Sequence, residues 1–422
     1  MAIQDDTPAQ DWEITKKEVN LEEIRAAKVR IKSYVPETPV SRSLYNSDNL
    51  GHDVFYKLEN FNITGSFKIR GAGNALLSAN ENEKDSDVIA ASAGNHAQGV
   101  AYIARILKRS AKIFMPERTP IVKVAATRSH GAEVFLTGLL YDDAYQAAVQ
   151  YQSKHGGTIV QAFADAAVIN GQGTAGLEIL DQIPTVGVII VPIGGGGLIG
   201  GIGCAVKTLR PDIKIIGVQT KSFPAMKESL AAGKVTGQTS GMTIADGIAV
   251  KRPSSRTLSL AQQYVDEILL VSDDDIAAAI MSLMEKDHLL AEGAGAASVA
   301  ALQVYKDKII KLANGKSVCC VISGGNIDVT LVGRIANRGL VATGRMMRLT
   351  VRMADRPGQL AELLKAIGST GANLIDLRHN RHFGALYYSD VDVEIDLETT
   401  DFAHQATIRK NLDQMKLNYT LL

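Results

Sequence analysis

A lysine that acts as a nucleophile must present a neutral amine, and Lys68 stands where the chain can supply one. It lies in Gly65-Ser66-Phe67-Lys68-Ile69-Arg70-Gly71, between a strand-like apolar run (Val54, Phe55, Tyr56) and an alanine-rich helical pattern from Ala72 to Ala79. The positive end of a helix dipole and burial both disfavour an ammonium, which suits a Schiff-base lysine. An arbitrary lysine is more often a solvated loop residue, so other stretches must decide. Gly194-Gly195-Gly196-Gly197, with Leu198 behind, follows the apolar run from Val186 to Pro192 and offers a nest of backbone N–H groups for a phosphate monoester. The same glycines would equally let a helix pack closely on a strand. Ser92-Ala93-Gly94-Asn95-His96, after the short run from Val88 to Ala91, offers N–H groups and a hydroxyl for a carboxylate, with the Asn95 amide for a ring oxygen. A helix cap by Ser92 or Asn95 accounts for it as well. His96 reads as a packed or capping histidine rather than a general base, because nothing near it in sequence would orient it. Ser323-Gly324-Gly325-Asn326 follows the run from Val318 to Ile322 and is either a glycine turn or a hydroxyl donor to an aromatic ring nitrogen.

The elements that must position these residues alternate. Strand-like runs at 88–91, 112–115, 133–136, 186–192, 213–219, 267–271 and 318–322 are separated by helical stretches such as 97–107, 121–129, 273–286 and 295–305. That is the pattern of an α/β fold with mostly parallel sheet, here as two α/β subdomains within residues 1–335. The basic stretch from Arg334 to Arg345 carries two glycines, and residues 336–345 read as a linker. Residues 346–422 follow a βαββαβ order: strands at 349–353, 374–381, 386–397 and 417–421, helices at 359–369 and 402–415. This is a small α+β ferredoxin-like unit, and with no nucleophile, base and anion cradle together it suits binding or assembly rather than chemistry.

Composition narrows the partners. The 422 residues hold 45 basic and 45 acidic side chains, so bulk attraction to nucleic acid or to an anionic membrane is not expected. The run from Val186 to Val206 is uncharged and long enough for a bilayer, but four consecutive glycines break any helix through it. Cys204, Cys319 and Cys320 form no disulfide framework, and the N-terminus has neither a basic region nor an apolar core; both point to a cytoplasmic protein. There is no Walker-type glycine loop and no Gly-x-Gly-x-x-Gly with a matching acid, so neither a nucleoside triphosphate nor a dinucleotide is indicated.

Lysine amine, phosphate nest, carboxylate pocket and ring-nitrogen donor are together what pyridoxal phosphate and an amino acid require. With those residues in view, the chain resembles the biosynthetic threonine dehydratases (threonine ammonia-lyases) of pyridoxal-phosphate fold type II, the tryptophan synthase β-like fold, with one C-terminal ACT-like regulatory domain. Ser66 to Gly71 matches the family's lysine motif, Ser92 to Ala101 its substrate-carboxylate loop, Gly194 to Leu198 its phosphate loop and Ser323 to Asn326 its ring-nitrogen site. Thr243 to Gly247 and Glu292 to Ala296 also resemble segments that face the cofactor. The likeness implies Lys68 as the catalytic lysine and cofactor anchor, with Asn95, Gly194, Gly195, Gly196, Gly197, Leu198 and Ser323 holding pyridoxal 5'-phosphate. Ser92, Ala93, Gly94, Asn95 and His96 would bind L-threonine, or L-serine, and release 2-oxobutanoate and ammonia from the former. It implies isoleucine as an inhibitor at the C-terminal unit, valine as its opponent, and a homotetramer. Serine racemases are similar but carry a serine where this chain has Ala93, which disfavours racemisation. Relatives that hold a cation do so through a carboxylate near Gly217-Val218-Gln219; glutamine here implies no metal. A non-catalytic amino-acid sensor on the same fold is the rival from a different class, and it would not need Lys68.

Overall fold

A computed structural model describes residues 18–79, 86–237, 241–381 and 389–421. The polar opening before Glu18 and the first three residues of the strand expected from Leu386 lie outside the described residues. Two compact units divide between Ile327 and Asp328.

The first unit is built on two sheets. The larger runs in the order Val40–Arg42, Val54–Leu58, Ser317–Ile322, Val186–Pro192, Lys214–Thr220, Glu267–Val271, parallel except for its first strand. Its central strands Val186–Pro192 and Ser317–Ile322 are buried at every residue, as strands covered on both faces must be, and their sequences are accordingly apolar without alternation. The smaller sheet orders Glu133–Leu136, Ala111–Met115, Val88–Ala91, Thr158–Ile159, all parallel. The uncharged run from Val186 to Val206 is thus strand, glycine turn and the helix Gly197–Leu209. No described helix is long and apolar enough to cross a membrane.

One helix has no signal of its own in the hydrophobic pattern. Ala166–Gln182 starts at Asp165, whose side chain accepts from the Ala167 amide at 2.6 Å, and is buried at every residue from Ala166 to Ile179. A helix buried all round lacks an amphipathic stripe. Its glycines set the packing: a Cβ at Gly171 would come within 2.5 Å of the Arg70 carbonyl, and one at Gly173 within 2.9 Å of the Gly201 carbonyl.

Two residues beyond Lys68, Arg70 anchors a buried ion cluster on this helix. Its guanidinium donates to Glu59 (2.7 and 2.8 Å), Glu178 (2.5 and 2.7 Å), Thr174 (3.1 Å) and Thr38 (3.2 Å). Lys57 adds bonds to Glu178 (2.6 Å), Gln182 (2.8 Å) and the Thr38 carbonyl (2.7 Å). Two cations face two carboxylates, all buried. Burial alone would raise the Glu59 carboxyl, but the Arg70 charge holds it below its ordinary value. Removing one partner from such a cluster leaves an uncompensated charge and costs about 3–5 kcal/mol. The three cysteines are free and buried.

In the second unit, the stretch read as a linker at 336–345 is mostly helix. Val329–Ala342 runs through it, started by Asp328, whose carboxylate accepts from the Thr330 amide at 2.8 Å. Gly333 and Gly339 are carried inside the helix, and nothing stands within 4 Å of where a Gly333 Cβ would sit. The antiparallel sheet that follows has the order Asn373–Asn380, Asp390–Glu398, Met346–Ala354, Asn418–Leu421. With helices Gln359–Gly368 and Phe402–Gln414 it completes the expected βαββαβ sequence. Alternation decides its faces: Met347, Leu349, Val351 and Met353 pack with Val391, Val393, Ile395 and Leu397 in its core. On the opposite face Arg348 and Arg352 form two-point pairs with Asp396 and Asp392 directly across the ladder.

Candidate active site

The helix Lys68–Leu77 begins at the lysine itself, after the turn Asn62–Gly65, with Gly65 at φ +69°. Gly65 has a second reason to be glycine: a Cβ would lie 2.3 Å from Asn326 Oδ1. The Lys68 amine is partly buried, donates to the Ala162 carbonyl at 2.9 Å and lies 5.1 Å from the centre of the Phe67 ring. Burial lowers it from the ordinary lysine range to about 8, while the Glu292 charge acts in the opposite direction. At pH 7 about a tenth of such amines are neutral, far more than for an ordinary lysine.

The four stretches singled out in the sequence meet here. The Ser323 carbonyl accepts from Phe67 N–H at 3.1 Å and the Gly65 carbonyl from Gly325 N–H at 2.9 Å, so the serine-glycine loop is laced to the lysine loop. The helix Asn95–Ile106 packs against the same segment through Gly99, where a Cβ would be 3.2 Å from the Ile69 nitrogen. Ala162, the acceptor of Lys68, precedes Phe163, and Phe163 covers the glycine loop. A Cβ at Gly195 would stand 2.2 Å from its ring and one at Gly197 2.9 Å from its carbonyl.

The glycine run is compatible with both of its readings. It permits close packing, and the amides of Gly194, Gly195, Gly196 and Gly197 donate no hydrogen bond among the described residues. Gly196, at φ +94°, turns the chain into the helix Gly197–Leu209, which has no side-chain cap and no acidic residue in its first turn. A cradle of free amides at a helix N-terminus is what a phosphate monoester needs.

Neither Ser92 nor Asn95 caps its helix: Gly94 is the cap residue and makes no side-chain bond. The Ser92 hydroxyl accepts from the Gly94 amide at 3.3 Å, and the amides at this helix start are left open to an anion. His96 is no base. It is buried, its Nε2 donates to the Val160 carbonyl at 2.8 Å, its Nδ1 has no partner, and burial with the nearby Lys68 charge pushes its pKa down to about 3. Ser323 is buried, and its hydroxyl makes no hydrogen bond among the described residues. That is a donor in reserve.

Two residues from stretches noted in the sequence, Asn326 and Glu292, had no role assigned there. Asn326 Nδ2 donates to Asn95 Oδ1 at 2.8 Å, and Asn95 Nδ2 donates to Glu292 Oε1 at 2.7 Å. Glu292 comes from about 200 residues away in sequence, so only the fold reveals the pair. At the position where a cation would be looked for, Gln219 Oε1 accepts from the Lys227 backbone amide at 3.0 Å, and the described residues hold no cluster of three or more His, Cys, Asp or Glu side chains placed for a metal.

Free amides in a glycine cradle, an unpartnered hydroxyl and a lysine amine fit the phosphate, ring and aldehyde of pyridoxal phosphate. Comparison with known proteins agrees. Residues 31–324 match the family model "Pyridoxal-phosphate dependent enzyme". The L-threonine ammonia-lyase of Thermotoga maritima is 44% identical over 394 residues, 93% of this chain and 97% of that protein. Among solved structures, the processed form of threonine deaminase isoform 2 from Solanum lycopersicum superposes with a TM-score of 0.71 at 34% identity, over 77% of this chain and 91% of that one. The serine racemase of Dictyostelium discoideum gives 0.69 at 33% identity, over 74% and 99%. The chain belongs to the pyridoxal-phosphate-dependent enzyme family and sits in it beside the L-threonine ammonia-lyases.

Proposed function

We propose that this protein deaminates L-threonine to 2-oxobutanoate and ammonia. One observation carries the reading: a partly buried lysine amine, titrating near 8, stands where an open phosphate cradle, an uncapped helix start and an unpartnered serine hydroxyl converge. The identity to L-threonine ammonia-lyases supports the choice of substrate. Pyridoxal phosphate, when bound, supplies an electron sink for the charge left at Cα as its proton departs.

The chain's own groups do the rest. Gly194 to Leu198 would hold the phosphate, and Ser323 would donate to the ring nitrogen; a hydroxyl is too weak an acid to surrender its proton there. Ser92 to His96 would receive the substrate carboxylate at the helix start, fixing the Cα proton toward Lys68. Lys68 takes that proton. Loss of the β-hydroxyl as water and replacement of the amino group by water oxygen balance the reaction as threonine to 2-oxobutanoate plus ammonia.

Elimination is favoured over racemisation by what the carboxylate loop lacks. Ala93 offers a methyl group, and His96 is tied to Val160 with its pKa near 3, so neither delivers a proton. L-serine is the second substrate, since one methyl group discriminates by only about 1–3 kcal/mol. The test is release of 2-oxo acid from L-threonine and L-serine by the purified protein with pyridoxal phosphate. Rapid 2-oxobutanoate formation is expected. Cofactor binding without turnover of either substrate overturns the reading in favour of a different substrate on the same fold or of a sensor.

We further propose that the enzyme opens isoleucine synthesis as a homotetramer, with isoleucine inhibiting through the C-terminal unit and valine opposing it. That unit has its own core, and the Thermotoga relative matches over 93% of the chain, whereas the two solved structures match over 74–77%. Allostery requires two coupled sites. Titrating isoleucine against activity, with and without the residues beyond Arg345, tests it, and no response in either form removes it.

A further inference from the structure

The Asn95 side chain has two chemically different ends, and its neighbours fix which one is left for a ligand. Asn326 Nδ2 donates to the Thr64 carbonyl at 2.8 Å, and a carbonyl only accepts, so the nitrogen of Asn326 is identified. The same nitrogen donates to Asn95 Oδ1 at 2.8 Å, which occupies the Asn95 oxygen. Asn95 Nδ2 then donates to Glu292 Oε1 at 2.7 Å. An ionised carboxylate is acceptor-only, so donation runs outward from Asn326, to the Thr64 carbonyl on one side and through Asn95 to Glu292 on the other. The second N–H of the Asn95 amide finds no acceptor among the described residues.

Glu292 is built into this place. It is 6% exposed, its backbone N–H donates to the Gly324 carbonyl at 3.1 Å, and its carboxylate fills the space a Gly324 Cβ would occupy, 2.3 Å away. It precedes the helix Gly293–Val304 yet makes no capping bond, giving its carboxylate to Asn95 instead. The charged groups that face it are Asp246, Lys123 and Lys68. Asp246 and Lys123 are themselves paired at the rim. Burial first, and Asp246 second, push the Glu292 carboxyl up to about 7, while the Asn95 hydrogen bond and the two lysines pull it down.

We propose that Glu292 is a positioning residue of this site. Its carboxylate holds the Asn95 amide so that one N–H stays available to the cofactor's ring oxygen, and supplies the negative charge against which the Lys68 amine gains and loses its proton. The inference rests on the site being that of a pyridoxal-phosphate lyase. Glutamine at 292 can still accept from Asn95 but carries no charge, whereas alanine removes both functions, so the two roles separate.

The experiment compares the native holoenzyme with Glu292→Gln and Glu292→Ala. Pyridoxal phosphate affinity is measured by absorbance titration, the bound cofactor's absorbance is followed against pH, and kcat/KM for L-threonine is measured over the same range. Glu292→Gln should keep cofactor affinity within about threefold of native and lose the transition near pH 7 from both profiles. Glu292→Ala should weaken cofactor binding by about tenfold or more. A glutamine variant whose profiles superimpose on the native ones overturns the charge role, and native-like affinity in the alanine variant overturns the positioning role. Because glutamine is isosteric with glutamate, the first comparison stands even if alanine impairs folding. Absence of 2-oxobutanoate from the native enzyme would refute threonine as substrate, while the absorbance and affinity measurements would still judge Glu292.

Discussion

Two groups of buried charge lie two residues apart on the helix Lys68–Leu77, and they behave in opposite ways. Around Arg70 every charge meets an opposite charge, with two cations and two carboxylates in bonds of 2.5–2.8 Å. Around Lys68 the charges are few and incompletely matched. The amine donates to a neutral carbonyl, Glu292 accepts from a neutral amide, and His96 donates to a neutral carbonyl. Full pairing locks protons in place, because either partner would strand the other on changing state. Burial with weak pairing moves pKa values toward neutrality, to about 8 for Lys68 and about 7 for Glu292, where protons can be exchanged during a reaction. The first cluster holds the helix; the second works from it.

The sharpest way to separate them is to remove one charge from each. Lys68→Ala should lower turnover at least about a thousandfold. The same change should stabilise the apoprotein. The folded-state pKa of Lys68 lies below its unfolded value, so the unfolded chain binds the extra proton as pH falls from about 10.5 to about 8, and stability is lost across that window. Below about pH 8 the loss is complete and constant, so at pH 7 the alanine variant should unfold at higher urea concentration, by roughly 1–3 kcal/mol. A less stable variant would place Lys68 among the structural charges.

Arg70→Met should do the reverse. It leaves Glu59 and Glu178 short of a partner and should cost about 3–5 kcal/mol in urea unfolding, with the activity of the surviving folded fraction falling far less than for Lys68→Ala. An unchanged midpoint would show that the cluster carries no net stability. Gly195→Ala tests the glycine cradle. The added methyl group meets the Phe163 ring, so cofactor affinity should fall and the protein should lose about 1–3 kcal/mol, read by absorbance titration and thermal unfolding. The smallest effect concerns His96. Its imidazole resonances should not titrate between pH 5 and 8 in a proton NMR series, and a midpoint in that range would make it a candidate base after all.

Much of this was legible in the residues. The strand-glycine-helix patterns at 88–96, 186–198 and 318–326 are local, so they could be read one at a time, and the βαββαβ order of the C-terminal unit follows from its alternating strands. The helix Val329–Ala342 was hidden by its two glycines and basic residues, which look like a linker when the Asp328 cap is overlooked. Ala166–Gln182 was hidden for the contrary reason, since burial on all sides erases the helical period. In the site, lysine, glycine and serine announced themselves by type and neighbours. Whether Ser92 and Asn95 capped a helix, and whether the glycines packed or cradled, depended on contacts that sequence leaves open.

The sequence alone determined the local chemistry: an amine at a helix start, a run of amides without side chains, a hydroxyl at a strand end, and the strand-helix alternation that builds mostly parallel sheet. Only the tertiary structure decided which partners those groups meet. Burial set the proton affinity of Lys68, the Val160 carbonyl supplied the partner of the packed His96, and Glu292 reached Asn95 across about 200 residues of chain. The physical reason is that pKa values and amide orientation depend on desolvation and on atoms within a few ångströms, and those atoms come from segments distant in the chain.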